Sequence, residues 1–284
     1  MRYLVTGGAG FIGSHLVDRL QAEGHAVIVV DNLLSGSEKN VNPRVIFVEA
    51  DIRDFDEIEP FFEGCDGVFH LAALARTPWC IDDPKLCYEI NVMGTLNVLE
   101  AARKHKVPRV VLTSSNVVYA FKTPYRTSKE ALEGLASTYK DMYGVSTICL
   151  RNSNVYGQRQ SERGPSPNVF AALRKSKKEN GYLLLTGNGE QSRDYTHVSD
   201  IVEGHMLAMN CRVNGVYDLC TGTNHTLNKV ASYFECPVKY TEERPGDVKH
   251  IYQDHSPAEI ILGFKAKVHL EEGIKDFLQD TSYD

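Results

Sequence analysis

Apolar runs alternate with amphipathic stretches through the first half of the chain. The short apolar runs predict strands at residues 3–5, 26–30, 45–48, 67–70, 109–113 and 146–150. Helical spacing of apolar residues lies between them, near residues 12–23, 54–63, 84–105 and 125–143. Uniformly apolar strands, such as residues 28–30 and 110–112, are typical of a parallel sheet covered on both faces. The pattern therefore predicts an α/β fold of the Rossmann type, with a doubly wound parallel sheet.

The rhythm loosens beyond residue 152, where loops rich in Gly, Asn, Ser and Pro (residues 157–168, 187–193 and 221–225) separate short elements. We therefore expect a Rossmann domain in residues 1–152, to which later segments return, and a smaller C-terminal α/β domain in residues 153–284. Because ligands of open α/β sheets bind beyond the carboxyl ends of the strands, the second domain should cover that crevice. The basic run at residues 174–178 is interpreted as a solvated helix face, with a phosphate contact as the alternative.

A glycine-rich turn joins the first predicted strand to the first predicted helix. Gly8, Gly10 and Gly13 fit the G-x-G-x-x-G spacing, and Gly7, Gly10 and Gly13 fit its G-x-x-G-x-x-G variant. Glycines allow a tight turn and a close approach of the backbone to a pyrophosphate, which the helix N-terminus then attracts. This context predicts a dinucleotide site, whereas the glycine spacing alone would also suit a turn without a ligand.

An acidic residue closes the second predicted strand. Asp31 lies 18 residues after Gly13, near the distance at which an acid meets the 2′-hydroxyl of the adenosine ribose. A carboxylate there repels a 2′-phosphate, and the next residue is Asn32 rather than an arginine. The sequence therefore favours NAD over NADP.

Composition narrows the class of protein. The 284 residues are 42% apolar and 24% charged, as in ordinary globular proteins, and the net charge of −6 gives no reason to expect nucleic acid or an anionic membrane. No apolar run is long enough to cross a bilayer, and Met1 lies too close to the first strand for a signal peptide. Seven cysteines without a C-x-x-C pair predict reduced thiols in a cytoplasmic protein. The ten histidines show no spacing typical of a metal site, so we expect no metal.

Tyr125 and Lys129 form a Y-x-x-x-K pattern at the start of a predicted helix, and such a pair shares one helix face. An ammonium near a phenol favours the phenolate, so we expect a lowered pKa for Tyr125 and a role as general acid and base toward a substrate hydroxyl. Ser115, at the end of a strand, is placed to bond the same oxygen. The alternatives are an ordinary helix surface for the pair and a helix cap for Ser115.

Taken together, these segments resemble the extended short-chain dehydrogenase/reductase family, in particular its NAD-dependent nucleotide-sugar epimerases and dehydratases. The resemblance spans nearly the whole chain. It begins with Thr-Gly-Gly-Ala-Gly-Phe-Ile-Gly-Ser at residues 6–14 and includes residues 31–36, 50–54, 70–73, 91–97, 125–129, 151–157, 193–198 and 244–247. Each segment alone is weak evidence for the family, but all of them in this order are specific for it.

The resemblance implies a role for each matching position. Ser115, Tyr125 and Lys129 would be catalytic. The implied cofactor-binding residues are Gly7, Gly10, Phe11, Ile12, Gly13, Asp31, Asn32, Ser35, Gly36, Asp51, Ile52, Leu71, Ala72, Ala73, Ala75, Asn91, Thr113, Tyr125, Lys129 and Val155. The implied substrate-binding residues are Thr77, Cys80, Ser115, Asn154, Asn168, Val169, Arg193, Arg244 and Asp247. Among these, Asn91 would hold the helix that carries the tyrosine, or a bound water.

The resemblance also implies a reaction. Dehydratases and decarboxylases of this group place an acid two residues before the tyrosine of the strand-end motif, where this chain has Val117, preceded by Asn116. What remains is the set for oxidation, rotation of the keto-sugar and re-reduction, so we expect a 4-epimerase acting on a nucleoside-diphosphate sugar, UDP-linked. A dehydratase or keto-sugar reductase and a non-catalytic dinucleotide sensor are the alternatives. The family's pairing of helices near 91–105 and 125–143 implies a homodimer.

Two features depart from the family. Only residues 120–124 separate Tyr119 from Tyr125, where the family has a longer loop, so we expect a more open pocket or cover by another segment. Residues 76–80 occupy the loop that faces the sugar in the family. Within it Trp79 either stacks on a sugar or packs between domains, and Cys80 is expected to be a small packing residue rather than a nucleophile.

Overall fold

The computed structural model describes residues 1–160, 168–243 and 248–280. Its strands are β1 (Arg2–Thr6), β2 (Ala26–Asp31), β3 (Ile46–Glu49), β4 (Gly67–His70), β5 (Val110–Ser115), β6 (Thr147–Asn152), β7 (Asn154–Tyr156), β8 (Leu183–Thr186), β9 (Ser192–His197), β10 (Gly215–Leu219), β11 (Asn224–Thr226) and β12 (Val238–Thr241). Its α-helices are α1 (Phe11–Ala22), α2 (Phe55–Ile58), α3 (Thr77–Asp82), α4 (Pro84–Tyr88), α5 (Thr95–Lys104), α6 (Pro124–Tyr143), α7 (Val169–Asn180), α8 (Val198–Asn210), α9 (Leu227–Ser232), α10 (Ser256–Leu262) and α11 (Leu270–Gln279).

A seven-stranded parallel sheet forms the centre, in the order β10-β6-β5-β4-β1-β2-β3. The predicted Rossmann-type α/β fold is confirmed, and all six strands predicted in the first half are present with ends shifted by at most two residues. The order reverses between β1 and β4, so a crevice opens beyond the carboxyl ends of these strands. The glycine turn and Ser115 lie at this edge.

Two predicted helices are interrupted. The stretch near residues 84–105 divides into α4, a π-helical turn (Glu89–Gly94) and α5. The stretch near residues 54–63 divides into α2 and a 3₁₀ turn (Glu59–Phe62), because Pro60 has no amide hydrogen to continue the α-helical bonding. The periodicity of apolar residues could not reveal either break, because the apolar face continues through both.

The later part of the chain contains more strand than the loops suggested. A three-stranded sheet has the order β11-β9-β7, and β12 pairs with β8 in parallel. The predicted loops at 187–193 and 221–225 therefore end inside strands. The basic run lies on α7 as expected, but it is not wholly solvated, because the Arg174 guanidinium lies 4.2 Å from the centre of the Phe277 ring and Lys177 Nζ donates to the Phe234 carbonyl.

Buried side chains form three clusters. Two lie on opposite faces of the central sheet, one beneath α5 and α6 and the other beneath α1 and α8. The third lies between α7, α9 and α11 in the later part of the chain. Both β10 and α8 come from the second half of the sequence and complete the first half's sheet and its cover. Among the described helices, none has the length and apolarity to span a membrane.

Candidate active site

The glycine turn is closed by its own backbone. Gly7 has a φ of +74°, a value that favours glycine, and its amide donates to the Val30 carbonyl at 2.8 Å. A Cβ on Gly13 would lie 2.1 Å from the Gly7 carbonyl oxygen, and one on Gly7 would lie 2.6 Å from the Ala72 nitrogen. Side chains at these positions would therefore force the turn, α1 and the segment after β4 apart.

This turn also leaves α1 uncapped. Gly10 precedes α1 and has no side chain to accept from its first turn, where the amides of Phe11 and Ile12 have no helical acceptor. Exposed amides and the positive end of the helix dipole suit a diphosphate. The close-packed glycines and the uncapped helix therefore fit a bound dinucleotide.

The acidic residue that ends β2 holds this turn in place. Asp31 is buried, and its two carboxylate oxygens accept from the Ala9 amide at 3.0 Å and the Leu33 amide at 2.9 Å. Burial raises the pKa of Asp31. Each oxygen keeps a free lone pair that can accept from a ribose hydroxyl, so anchoring the loop is compatible with the predicted ribose contact.

Asp51, one of the implied cofactor-binding residues, pairs with an arginine that could bear on the choice between NAD and NADP. Arg53 binds both carboxylate oxygens of Asp51, at 3.0 and 2.8 Å, and Asn32 donates to the same carboxylate at 2.8 Å. The hydrogen bonds from Arg53 are the main reason why the pKa of Asp51 falls to about 2. Because its charge is compensated, Arg53 is not a free partner for a 2′-phosphate.

The remaining predicted cofactor positions surround this turn. Gly36 lies against Ala9, and Ser35 precedes it in the loop after β2. Half-buried Leu71, Ala72 and Ala73 follow β4, and Ala75 beyond them is exposed. The buried Ile52 side chain fills the space that a Cβ on Gly94 would occupy. Half-buried Val155 packs on the cluster beneath α1 and α8.

The three predicted catalytic residues come together at the carboxyl edge of the sheet. Ser115, at the end of β5, lies near the Tyr125 hydroxyl in the first turn of α6, close enough to favour its phenolate. Lys129 lies one turn further along α6, and its Nζ donates to the Thr113 carbonyl at 2.7 Å and lies 5.9 Å from the centre of the Tyr125 ring. The Ser115 hydroxyl also accepts from the Val117 amide at 3.2 Å, so its role as a cap and its contact with Tyr125 coexist.

The expected lowering of the Tyr125 pKa is wrong for the protein alone. The side chain is 9% exposed, and this burial raises its pKa to about 12. The nearby Ser115 hydroxyl opposes this rise of the Tyr125 pKa without cancelling it. Burial likewise lowers the pKa of Lys129 to about 8, so the ammonium is less favourable than the sequence suggested. The pattern of residues placed Tyr125 and Lys129 on the same helix but carried no information on their desolvation.

Lys129 gives a pH prediction. Between pH ~8, where the folded lysine loses its proton, and ~10.4, where the unfolded one does, the unfolded chain binds more protons, so the free energy of unfolding rises with pH. Lys129→Met lacks this titrating group. Its free energy of unfolding relative to that of the wild type, measured by chemical denaturation, should therefore fall across this window by on the order of 3 kcal/mol. Exposed Lys122→Met is the control, and a pH-independent difference for Lys129→Met would contradict the expectation.

Sequence reasoning missed one charged neighbour of the tyrosine. Arg76 immediately precedes α3, which packs against α6, and its half-buried guanidinium lies close enough to Tyr125 to favour the phenolate. Burial lowers the pKa of Arg76. Within residues 1–160, 168–243 and 248–280, no ion pair or hydrogen bond engages its side chain. The signal available in the sequence was an arginine in the loop that follows β4, because that strand ends at the crevice.

Removing this charge should make phenolate formation at Tyr125 harder. We expect Arg76→Met to move the alkaline-activated limb of the pH–rate profile to higher pH, and Arg76→Lys to move it less. Arg126→Met is the control, because Arg126 adjoins Tyr125 in sequence but pairs with Glu130 at 2.8 Å. An unchanged profile for Arg76→Met would show that the guanidinium does not act on the tyrosine.

Asn91 ties the cofactor loop to the catalytic helix. Its side chain accepts from the Leu74 amide at 2.7 Å and donates to the Leu74 carbonyl at 3.1 Å and to Ser128 Oγ at 3.0 Å. Because Ser128 lies on α6 beside Lys129, Asn91 holds this helix in the way that the resemblance implied. The neighbouring Cys80 is fully buried and donates to the Leu74 carbonyl, and burial raises the pKa of its thiol. Contact of Cys80 with a substrate is therefore disfavoured, and packing is favoured.

The loop after β4 also contains the only tryptophan. Trp79 lies on α3 and packs against the cluster beneath α5 and α6, so packing is favoured over stacking on a sugar, although within the first half rather than between domains. Thr77 begins the same helix and is half-buried. The linker between Tyr119 and α6 stays at the surface, with Phe121 65% exposed.

The predicted substrate-binding residues have the following surroundings. Asn154 on β7 donates to the Asp194 carbonyl at 3.3 Å, and Arg193 on β9 donates to the Ser192 and Lys249 carbonyls. Asn168 accepts from the Ala171 amide as the cap of α7, and Val169 follows it and packs on the third cluster. Arg244 and Asp247 lie outside the described residues.

Among the described residues, neither Asp194 nor Glu130 replaces the acids that are missing at the strand end. Asn116 and Val117 form a 3₁₀ turn (Asn116–Tyr119) directly after Ser115. Asp194 is 3% exposed, and its carboxylate accepts from Thr196, Thr221 and Thr223, which makes it structural. Glu130 pairs with Arg126.

The fold and the site define a dinucleotide-dependent Rossmann enzyme, and comparison with known proteins gives its family. The sequence model of the NAD dependent epimerase/dehydratase family matches residues 3–220. A UDP-glucose 4-epimerase of Mycolicibacterium smegmatis is 34% identical in an alignment of 307 positions that covers 96% of each chain. The structure is similar to that of UDP-glucose 4-epimerase from Thermotoga maritima with UDP-glucose (TM-score 0.93, 34% identity, 98% of both chains). It is also similar to the UDP-glucose 4-epimerase of Thermus thermophilus in complex with NAD (TM-score 0.87, 33% identity, 98% of both chains).

The chain therefore belongs to the NAD dependent epimerase/dehydratase family, as the resemblance indicated. It is an NAD-dependent enzyme of that family.

Proposed function

We propose that the protein is a nucleoside-diphosphate-sugar 4-epimerase that acts on a UDP-linked sugar through a transient 4-keto sugar. The observation that carries the proposal is the assembly of Ser115, Tyr125 and Lys129 beside the dinucleotide turn. Where a dehydratase of this family would need acids, the chain has Asn116 and Val117. Relatives named as UDP-glucose 4-epimerases support it over nearly the full length of the chain.

The roles of the residues follow from their positions. NAD held at the glycine turn would supply a hydride acceptor for the sugar carbon and, once reduced, a hydride donor for the opposite face of the keto group. Tyr125 removes the proton of the sugar hydroxyl and restores it after the sugar has rotated. Ser115 bonds the same oxygen, and Lys129 holds the edge of β5 through the Thr113 carbonyl while its charge favours the phenolate. The proton and the hydride are both returned, so no reductant is consumed.

The nucleotide end of the substrate would lie against the later part of the chain. We propose that residues 153–284 supply most of this site, with residues 1–152 supplying most of the NAD site. Arginines in separate loops, Arg193 and Arg244, suit a diphosphate, and Asp247 suits the ribose hydroxyls. Asn154, Asn168 and Val169 would line the same site.

The direct test is NMR of products from UDP-glucose, UDP-N-acetylglucosamine and UDP-glucuronate, each incubated with the protein and NAD. Formation of the galacto isomer of any of them, without net NADH, supports the proposal and identifies the substrate. A keto-deoxy product would instead indicate a dehydratase, and stoichiometric consumption of NADH a keto-sugar reductase. Binding of NAD without turnover of any substrate would favour the non-catalytic sensor.

Arg76 favours one member of this panel as a second candidate substrate. Its guanidinium is half-buried beside Tyr125 and is not engaged by a carboxylate of the described residues. A sugar that carries its own carboxylate would supply that partner. If the uronate is the substrate, Arg76→Met should raise KM for UDP-glucuronate more than KM for UDP-glucose.

We further propose a homodimer in the cytoplasm. The helical segments from α4 to α6 expose Met93 (51%), Met142 (73%) and Tyr143 (55%), and pairing with a second copy would cover them. Four of the seven free cysteines are buried in the cluster beneath α5 and α6, which suits a reducing compartment. If light scattering finds only monomer at micromolar concentration, the proposed homodimer is wrong.

A further inference from the structure

One buried amide at the catalytic edge of the sheet has no hydrogen-bond partner among the described residues. Asn152 ends β6 and is 5% exposed. Both its amide nitrogen and its amide oxygen are buried, and neither makes a hydrogen bond within the described part of the chain. Buried amides in folded proteins are nearly always hydrogen-bonded, because a group taken from water without a replacement partner is destabilising. An amide with a vacant donor and a vacant acceptor therefore indicates a bound group with both functions.

The register of the sheet places this amide in the catalytic centre. Asn152 is the direct neighbour of Ser115 across the β5–β6 pair. Side chains alternate along a strand, so Asn152 shares the face of Ile148 and Leu150, and Ser115 shares the face of Val111, which packs in the same cluster. Neighbouring strands are ~4.8 Å apart, so the two side chains lie next to each other.

The depth of the two side chains distinguishes their partners. Ser115 is half-buried and contacts the Tyr125 hydroxyl, where the sugar oxygen reacts, whereas Asn152 is almost fully buried. The sugar enters from the open side of the crevice, so the deeper group must meet the ligand that binds first and lies beneath it. For hydride transfer, that ligand is the nicotinamide ring, which carries a carboxamide.

We propose that the Asn152 side chain binds the carboxamide of the NAD nicotinamide through a pair of hydrogen bonds. Asn152 Nδ2 donates to the carboxamide oxygen, and Asn152 Oδ1 accepts from the carboxamide nitrogen. This pairing satisfies both vacant atoms of the buried amide at once, and it fixes the rotation of the ring next to Ser115 and Tyr125. The inference rests on the proposed use of NAD and adds a residue that neither the motifs nor the resemblance assigned.

The test measures dinucleotide affinity rather than turnover. The 3-acetylpyridine analogue of NAD keeps the carbonyl acceptor of the carboxamide and lacks its N–H donors, and ADP-ribose lacks the ring altogether. Competition of NAD and of the analogue against labelled ADP-ribose is measured on the full-length wild type, Asn152→Leu and Asn152→Asp. The exposed Asn210→Leu, on α8, is the matched control for the loss of an asparagine.

The wild type and Asn210→Leu should prefer NAD over the analogue by about tenfold, the value of one hydrogen bond. In Asn152→Leu the ratio of the affinities for NAD and for the analogue should fall to about one, and ADP-ribose binding should be unchanged. Asn152→Asp keeps the acceptor and loses the donor, so affinity for both dinucleotides should fall while the preference remains. This second variant keeps a polar side chain of the same size, should the leucine variant fail to fold.

Retention of the full preference by Asn152→Leu would overturn the inference. So would a loss of discrimination between UDP-N-acetylglucosamine and UDP-glucose in that variant with the NAD preference intact, because the amide would then serve the sugar. Failure of the wild type to bind both NAD and ADP-ribose would instead refute the use of NAD on which the inference depends.

Discussion

Replacing Tyr125 by phenylalanine should reduce epimerisation by about 10²–10⁴-fold, the range that a positioned general acid and base contributes. The hydroxyl is the only group removed, and it is the group that Ser115 contacts. The ring lies in the cluster beneath α5 and α6 and remains buried, so the fold and the dinucleotide site should persist. The measurements are the initial rate by NMR and the NAD content of the purified variant.

The same change elsewhere on the catalytic helix is the control. Tyr143 ends α6 and is 55% exposed, so Tyr143→Phe should leave both the rate and the NAD content unchanged. Full activity in Tyr125→Phe would contradict the assignment of the general base. Unchanged biological activity in the absence of measurable turnover would favour the non-catalytic sensor.

The second large effect is expected at the dinucleotide turn. In Gly13→Ala the new Cβ would lie 2.1 Å from the Gly7 carbonyl oxygen, a backbone atom that cannot move without opening the turn. Overpacking of this kind costs about 1–3 kcal/mol, so affinity for NAD should fall by about 5- to 150-fold. The melting temperature should fall by several degrees, because the same turn joins β1 to α1. Calorimetric titration with NAD and thermal unfolding measure the two effects.

Gly134→Ala is the matched control. Gly134 lies within α6, and a Cβ at this position has no atom within 4 Å. Alanine is the better helix former by about 1 kcal/mol, so this variant should keep its NAD affinity and become slightly more stable. Wild-type NAD affinity in Gly13→Ala would refute the steric account of the glycine turn.

Local patterns accounted for much of this protein. Runs of apolar residues predicted the six strands of the first half to within two residues, because buried parallel strands are apolar on both faces. The glycine spacing predicted the turn, because Gly7 needs a positive φ and Gly13 needs close packing. The Y-x-x-x-K spacing predicted that Tyr125 and Lys129 share a face of α6, since i and i+4 always do.

Pairings between distant segments lay beyond such patterns. The pair β12–β8 and the sheet β11-β9-β7 join short strands across many residues. Three consecutive leucines form an apolar run in β8, but nothing in that run identifies β12 as its partner. The break of the helix near residue 91 and the partners of Asp51 and Asp194 also depend on neighbours that are remote in sequence.

The sequence by itself determined the Rossmann topology and the dinucleotide turn, and it singled out the three residues that we propose are catalytic, because these depend on local spacing and on the order of the elements. Only the tertiary structure decided the electrostatics of the site. Burial raises the pKa of Tyr125 rather than lowering it, and the fold places Arg76 beside the phenol and the unpaired Asn152 amide beside Ser115. Desolvation and vacant hydrogen bonds are properties of the surroundings that distant segments create, so no local pattern of residues contains them.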